Sequence, residues 1–147
     1  MIVTLDTNIL YQALKSSAGA SYFILQLIRN NMLQLALSVP LFTEYQAVLS
    51  RKESLVDFGL ELSDVDAFLR FIAFVGKPFD IYYLFRPNLI DENDNMIIEL
   101  AITSQSEYLI TSNIKDFKNA ELKFNDLSIL TPGNFVRRWK KCQKPMY

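Results

Sequence analysis

The sequence contains no histidine and only one cysteine, Cys142, among its 147 residues. Without histidine, Ser-His-Asp and Cys-His nucleophile systems are excluded, as are His-ligated zinc sites. A single cysteine can neither close an internal disulfide nor share zinc with a second thiolate, which agrees with a reducing compartment. Its place near the end of the chain suggests no role. No apolar run approaches the ~18 residues that span a bilayer, and the opening MIVTLDTNILYQ lacks the basic start and small-residue cleavage site of a signal peptide. A cytoplasmic protein with no membrane segment is expected. A dominant charge is missing too, since 15 Lys and Arg face 16 Asp and Glu for a formal net charge of −1. Whole-molecule attraction to nucleic acid is therefore not expected, and a polyanion must find a local patch. A hydrolase made from this set must work with carboxylates, lysines or tyrosines.

What is present is enough for a core. Half of the residues are hydrophobic, with 11 Phe and 7 Tyr, and disordered chains tend to lack such aromatic content. The length predicts one domain over residues 1–147. MIVTLD is a short apolar run whose β-branched residues favour a strand buried on both faces, with Asp6 at its end. A short helix follows, then an amphipathic helix over Ala18–Asn30 through Tyr22, Phe23, Leu25, Leu27 and Ile28. LQLALSV reads as a second strand, and Pro40 is pre-set for the first position of a helix carrying Glu44. Lys52–Leu62 reads as a loop between helices. Ser63 and Asp66 resemble a capping box for a helix running to Gly76, buried through Val65, Phe68, Leu69, Ile72 and Phe74. Phe79–Phe85 can be strand or irregular. Asp94 stands at the entrance to a helix with Met96, Ile97, Leu100 and Ala101 on one face. Tyr108–Thr111 and Leu127–Leu130 read as further strands, and Thr131 and Pro132 supply the cap and first residue of a last helix. This alternation predicts an α/β sandwich with a largely parallel sheet.

In open α/β sheets the carboxyl ends of strands and the helix starts after them share one edge, where ligands usually bind. Asp6, Glu44, Asp94 and Asp116 all map to that edge. Four converging carboxylates repel, and a divalent cation removes the conflict. Oxygen ligands without His or Cys select Mg²⁺ or Mn²⁺ over zinc, and such an ion suits phosphate chemistry. Each acid also has a structural reading: Asp94 as partner of a helix dipole, Asp116 in a turn, Glu44 as a solvated helix residue. Asp6 is harder to explain this way, because a carboxylate ending an apolar strand is often partly buried. Position alone leaves both readings open.

LDTN, Glu44 within SVPLFTEYQAVL, the cluster RPNLIDENDNMIIELA and YLITSNIKDF resemble, in the same order, the motifs of PIN-domain proteins. The likeness runs from Ile2 to about Leu130 and is closest to the branch of toxin components of bacterial toxin–antitoxin pairs, the VapC-like ribonucleases. It implies a three-layer α/β/α fold with a central, mainly parallel sheet, Mg²⁺- or Mn²⁺-dependent cleavage of RNA, and frequent homodimerisation. By motif, Asp6, Glu44, Asp94 and Asp116 match the metal-binding catalytic acids. Thr111 matches the polar residue that ends the strand, with an orienting role toward a ligand or water. Asn113 stands where many relatives carry another Asp, which implies one secure ion and weakens a second site, although Asn113 can still bond a metal-bound water. Glu99 matches a recurrent acid of the branch, and Asp91 neighbours Asp94; both can equally be surface or supporting residues.

Arg86, Lys115 and Lys118 flank the acidic motifs, and RRWKKCQK concentrates positive charge around Trp139. A last helix packing Phe135 and Trp139 on the core, with its charges in water, is favoured over an RNA-stacking platform. Two functions from different classes compete. One is an endoribonuclease, with an antitoxin protein as a possible partner. The other is a non-catalytic PIN-fold module that holds RNA or protein, to which Asn113 lends weight. A phosphatase with Asp6 as nucleophile is disfavoured because Asn8 replaces its usual second aspartate.

Overall fold

Strand β1 (Ile2–Leu5) is built from the first apolar run, with Val3, Thr4 and Leu5 inaccessible to solvent, and lies at the centre of a five-stranded sheet. The computed structural model describes residues 1–81, 92–117 and 126–143. After β1 come α1 (Thr7–Lys15), α2 (Ala20–Arg29), β2 (Gln34–Leu37), α3 (Val39–Leu49), α4 (Lys52–Phe58), α5 (Leu62–Val75) and β3 (Gly76–Pro78). Then follow α6 (Glu92–Thr103), β4 (Tyr108–Ile110), a 3-10 turn (Ile114–Phe117), β5 (Ser128–Leu130) and α7 (Pro132–Cys142). The strands pair in the order β3-β2-β1-β4-β5 and every pairing is parallel. Helices flank this sheet, as the alternating pattern predicts.

Register aligns the strand ends: Leu5 pairs with Ile110, and Ile110 with Leu130. The chain leaves β1 toward β2 and leaves β4 toward β5, in opposite directions, so the order reverses between β1 and β4. A crevice opens outside the carboxyl ends at such a switch point. Two hydroxyl contacts fix α6 against the sheet. Thr4 Oγ1 lies 2.8 Å from Ser106 Oγ, which lies 2.7 Å from Ser104 Oγ at the end of α6. Asp94, in the first turn of α6, is held at the height this anchor sets.

Several expectations are corrected. Lys52–Leu62 is not a loop: α4 occupies Lys52–Phe58 and ends on Gly59 with φ 64°, a left-handed cap that glycine adopts without strain. This helix is held by contacts remote in sequence, with Tyr11 donating to Asp57 and lying edge-on to Phe58 at 4.7 Å. The capping box of α5 uses Glu61 and Asp64 rather than Ser63 and Asp66, the same spacing two residues earlier. Phe74 is 88% exposed instead of buried. At 3.6 residues per turn it sits about 200° around the helix from buried Ile72. Ser38 caps α3 and Val39 is its first residue, so Pro40 falls at the second helical position rather than the first. Phe79 to Ile81 is irregular, while the rest of that stretch lies outside the described residues.

Composition does not predict the short strand β3. Gly76 makes it possible by its pairing with Leu35, because a Cβ there would stand 2.8 Å from Leu37 Cδ2 and 3.0 Å from the Ile72 carbonyl oxygen. Leu37 is itself buried, so it cannot simply swing away. Pro78 is tolerated because β3 is an edge strand. Gly76→Ala is expected to lower unfolding stability by about 1–3 kcal/mol through overpacking, measured by urea denaturation; an unchanged midpoint would show that the close approach relaxes freely.

Candidate active site

Asp6 is the pivot of the crevice. Its backbone N–H donates to the Ile110 carbonyl at 3.0 Å, continuing the β1–β4 ladder one residue past the strand. The chain then turns into α1, and Asp6 becomes its N-cap, with Oδ1 accepting from the Thr7 N–H at 2.8 Å. The other oxygen, Oδ2, accepts from Thr111 Oγ1 at 2.7 Å and from Asn8 Nδ2 at 3.2 Å. The residue is only 8% exposed. These neutral donors hold the carboxylate in one orientation.

Thr7 joins a second acid to the first. Its Oγ1 donates to Glu44 Oε2 at 2.7 Å, so one residue binds Asp6 through its backbone and Glu44 through its side chain. Glu44 is half-buried on α3, whose start is fixed by Ser38 Oγ accepting from the Leu41 N–H at 3.3 Å. Beneath the pair, the fully buried Tyr45 hydroxyl donates to the Leu5 carbonyl at 2.5 Å. Burial, then the negative charges of Asp6 and Glu44, push the Tyr45 phenol well above its ordinary range. The field of both carboxylates thus meets at one buried point.

The remaining positions differ in setting. Thr111 is fully buried at the end of β4, and its Oγ1 also accepts from the Asn113 N–H at 3.0 Å. The Asn113 side chain is exposed, while its carbonyl accepts from the Asp116 N–H at 3.1 Å. Asp116 is exposed in the 3-10 turn, beside the fully buried Phe117. Asp94 is half-buried in the first turn of α6, which packs against β1, β2, β4 and α3. Glu99, one and a half turns on, is only 4% exposed. Hydrogen bonds therefore tie together Asp6, Glu44, Thr111 and the Asn113 backbone, while topology sets Asp94 and Asp116 on the same edge. Asp91, Arg86 and Lys118 lie outside the described residues, and Lys115 is exposed.

Sequence reading missed Thr7, Asn8 and Tyr45. The hydroxyl directly after Asp6 was a usable signal for Thr7, whereas nothing local marks Tyr45 as the phenol beneath the acids. Ser112 and Gln12 extend the network: Gln12 Nε2 donates to Ser112 Oγ at 2.8 Å, and Ser21 Oγ donates to Gln12 Oε1 at 2.9 Å. These bonds fasten the loop after β4 to α1 and α2.

Among the described residues no group of three or more His, Cys, Asp or Glu side chains is arranged as a metal cluster. The donors present are nonetheless all hard oxygens. A pair of carboxylates joined through Thr7 fits a hard divalent cation that keeps several waters and needs only one or two protein carboxylates.

A family model described as the PIN domain matches residues 2–115. The chain belongs to the PIN-domain family. Its fold is similar to the crystal structure of VapBC2 from Rickettsia felis bound to a DNA fragment from their promoter, with 25% identity and a TM-score of 0.60 over 89% of this chain and 98% of that one. It is also similar in fold to VapBC-1 from nontypeable Haemophilus influenzae, with 18% identity and a TM-score of 0.57 over 90% of this chain and 99% of that one. No curated protein matches significantly by sequence. No described helix is long and apolar enough to cross a membrane.

Thr111→Val keeps the shape but removes the donor to Asp6, and is expected to cost about 2 kcal/mol, the scale of a hydrogen bond to a charged group; Thr111→Ser should recover most of it in the same urea titration. Tyr45→Phe is expected to cost about 1 kcal/mol at neutral pH. The raised phenol contributes stability that is present below the ordinary tyrosine range near pH 10 and is lost as pH rises toward its higher folded value. In chelator, the variant should therefore lose less stability than the parent above about pH 10, followed by alkaline unfolding curves.

Proposed function

We propose that this protein is a divalent-metal-dependent endoribonuclease that hydrolyses RNA phosphodiester bonds, acting as the toxin of a toxin–antitoxin pair. The observation that carries the reading is the Asp6 carboxylate, set at the sheet's switch point, oriented by Thr111, Asn8 and the Thr7 N–H, and bridged through Thr7 to Glu44. Membership of the PIN-domain family supports a nuclease. Likeness to VapBC complexes, which are toxin–antitoxin assemblies, supports an antitoxin protein as partner. Homodimerisation and one domain spanning the chain belong to the same proposal.

Asp6 and Glu44 would hold Mg²⁺ or Mn²⁺, with Asp94 and Asp116 completing the acidic edge. When bound, such an ion lowers the pKa of a coordinated water and offsets charge developing on the phosphate. The chain's own residues do the positioning. Thr111 and Asn8 fix the Asp6 oxygens, Thr7 fixes Glu44, and the Gln12–Ser112 bond holds the loop that carries Asn113 and Asp116. With no histidine present and the buried Tyr45 phenol held protonated, the carboxylates of this edge and solvent are the groups at hand for proton transfer. Asn113 removes one acid from the edge, so a second ion would be held less firmly than the first.

Purified protein is expected to cut RNA with Mg²⁺ or Mn²⁺ and to stop with chelator. Asp6→Asn and Asp94→Asn should each lower the rate at least about 100-fold, the scale of losing one catalytic group, while circular dichroism stays unchanged. Activity that persists in both variants would remove the site. A non-catalytic module, the competing reading favoured by Asn113, is distinguished by calorimetry: it predicts no Mn²⁺ binding at millimolar metal.

A further inference from the structure

The charge of this protein is sorted along the chain. All 16 acidic residues fall within the first 126 positions together with 10 of the Lys and Arg, whereas the remaining residues carry five Lys and Arg and no acid. A protein close to neutral overall is thus an acidic body joined to a basic end. Four of the five cations lie on α7, where Asn134, Arg137, Arg138 and Lys141 follow the i, i+3, i+4, i+7 spacing of one helical face. The opposite face is occupied by packing. Phe135 is buried, and Trp139 is half-buried and stacked on it at 6.4 Å, so the indole is committed to the core as the favoured sequence reading expects.

The basic face is concave. Leu130, Asn134, Arg137, Arg138, Lys140 and Lys141 line a surface cleft of about 630 Å³, and none of these lining residues is acidic. Two of its cations are already placed by aromatic rings, with Arg138 5.8 Å above Tyr108 and Lys140 5.2 Å above Phe23. Arg137 donates to Asn134. Held side chains lose less freedom when a ligand arrives. The cleft also starts at the acidic edge. Its floor residue, Leu130, accepts at its carbonyl from the Thr111 N–H at 3.0 Å, and Thr111 Oγ1 donates to Asp6.

We infer that the α7 cleft is a phosphate-binding track for single-stranded RNA, holding the backbone of the strand beyond the bond presented at Asp6. This rests on the nuclease reading for its polarity relative to the acidic edge, though not for its binding chemistry. From Asn134 to Lys141 the helix rises about 10 Å, room for more than one phosphate. Recognition of the backbone alone makes the track indifferent to base identity and sensitive to salt. It also supplies the local attraction that a net charge of −1 does not.

The test measures binding of a fluorescent single-stranded RNA to Asp6→Asn protein across salt from about 50 to 200 mM. Adding Arg137→Gln and Lys141→Gln should weaken binding and flatten the slope of log K against log salt by about 1.4, near 0.7 for each phosphate no longer neutralised. Arg137→Lys with Lys141→Arg, which keeps the charge on the same exposed positions, should restore the slope and so separates loss of charge from loss of fold. In protein with Asp6 intact, the Gln pair should raise KM for long RNA, leave kcat unchanged, and leave cleavage of a trinucleotide unaffected. An unchanged slope overturns the track, including the case in which the cleft serves an acidic protein instead. If RNA is cut but the slope does not move, the track fails and the nuclease stands. If no RNA is cut but the Gln pair flattens the slope, the track stands and the nuclease fails.

Discussion

The bond from the Asp6 N–H to the Ile110 carbonyl, 3.0 Å long, keeps the ends of β1 and β4 level where the sheet reverses its direction of growth. The geometry of the acidic edge depends on this registry. With the two strand ends aligned, Thr111 stands beside Asp6 and can donate to it, and α1 begins at the point from which Thr7 reaches Glu44 on α3. A shift of one residue in a strand would turn every side chain to the opposite face. Thr111 would then leave the carboxylate, and the core residues Val3, Leu5 and Leu109 would exchange places with their neighbours.

That arrangement concentrates negative charge in a poorly solvated place, and the protein moderates it with neutral donors. Asp6 receives one backbone and two side-chain hydrogen bonds, and Glu44 receives the Thr7 hydroxyl. Hydrogen bonds to the charged form stabilise it without cancelling the charge. Tyr45 registers the result, since its buried phenol is held protonated by the absence of water and by both carboxylates. A hydroxyl that stays protonated remains a dependable donor to the Leu5 carbonyl, which ties α3 to the end of β1.

Much of the fold was legible because parallel strands and their helices leave strong local patterns. β1, β2 and β4 are near-continuous apolar runs, and Thr131 with Pro132 marks the start of α7 as expected. What escaped was specified by contacts between distant residues. β3 exists because Gly76 lets the chain approach Leu37, and α4 because Tyr11 reaches Asp57 and Phe58. The acidic edge divides in the same way. Asp6 was legible from its place after an apolar strand, and its partner Thr111 from the family pattern. Thr7 left only the hint of a hydroxyl directly after Asp6, and Asn8 and Tyr45 were not legible, because their roles follow from the approach of α1 and α3 to the strand ends. Asp94 and Asp116 were placed on the edge by topology, but the spacing between carboxylates is a tertiary quantity that no run of sequence encodes.

Asp6 serves the fold as well as the crevice, since the same side chain caps α1. Asparagine caps helices about as well as aspartate, so the two roles are separable by one change of charge. A lineage that lost the negative charge at this position while keeping asparagine would retain the start of α1 and the surrounding sheet. Relaxed selection on chemistry therefore need not erode the scaffold, and silent, well-folded descendants are an accessible outcome of a single nucleotide change between aspartate and asparagine codons.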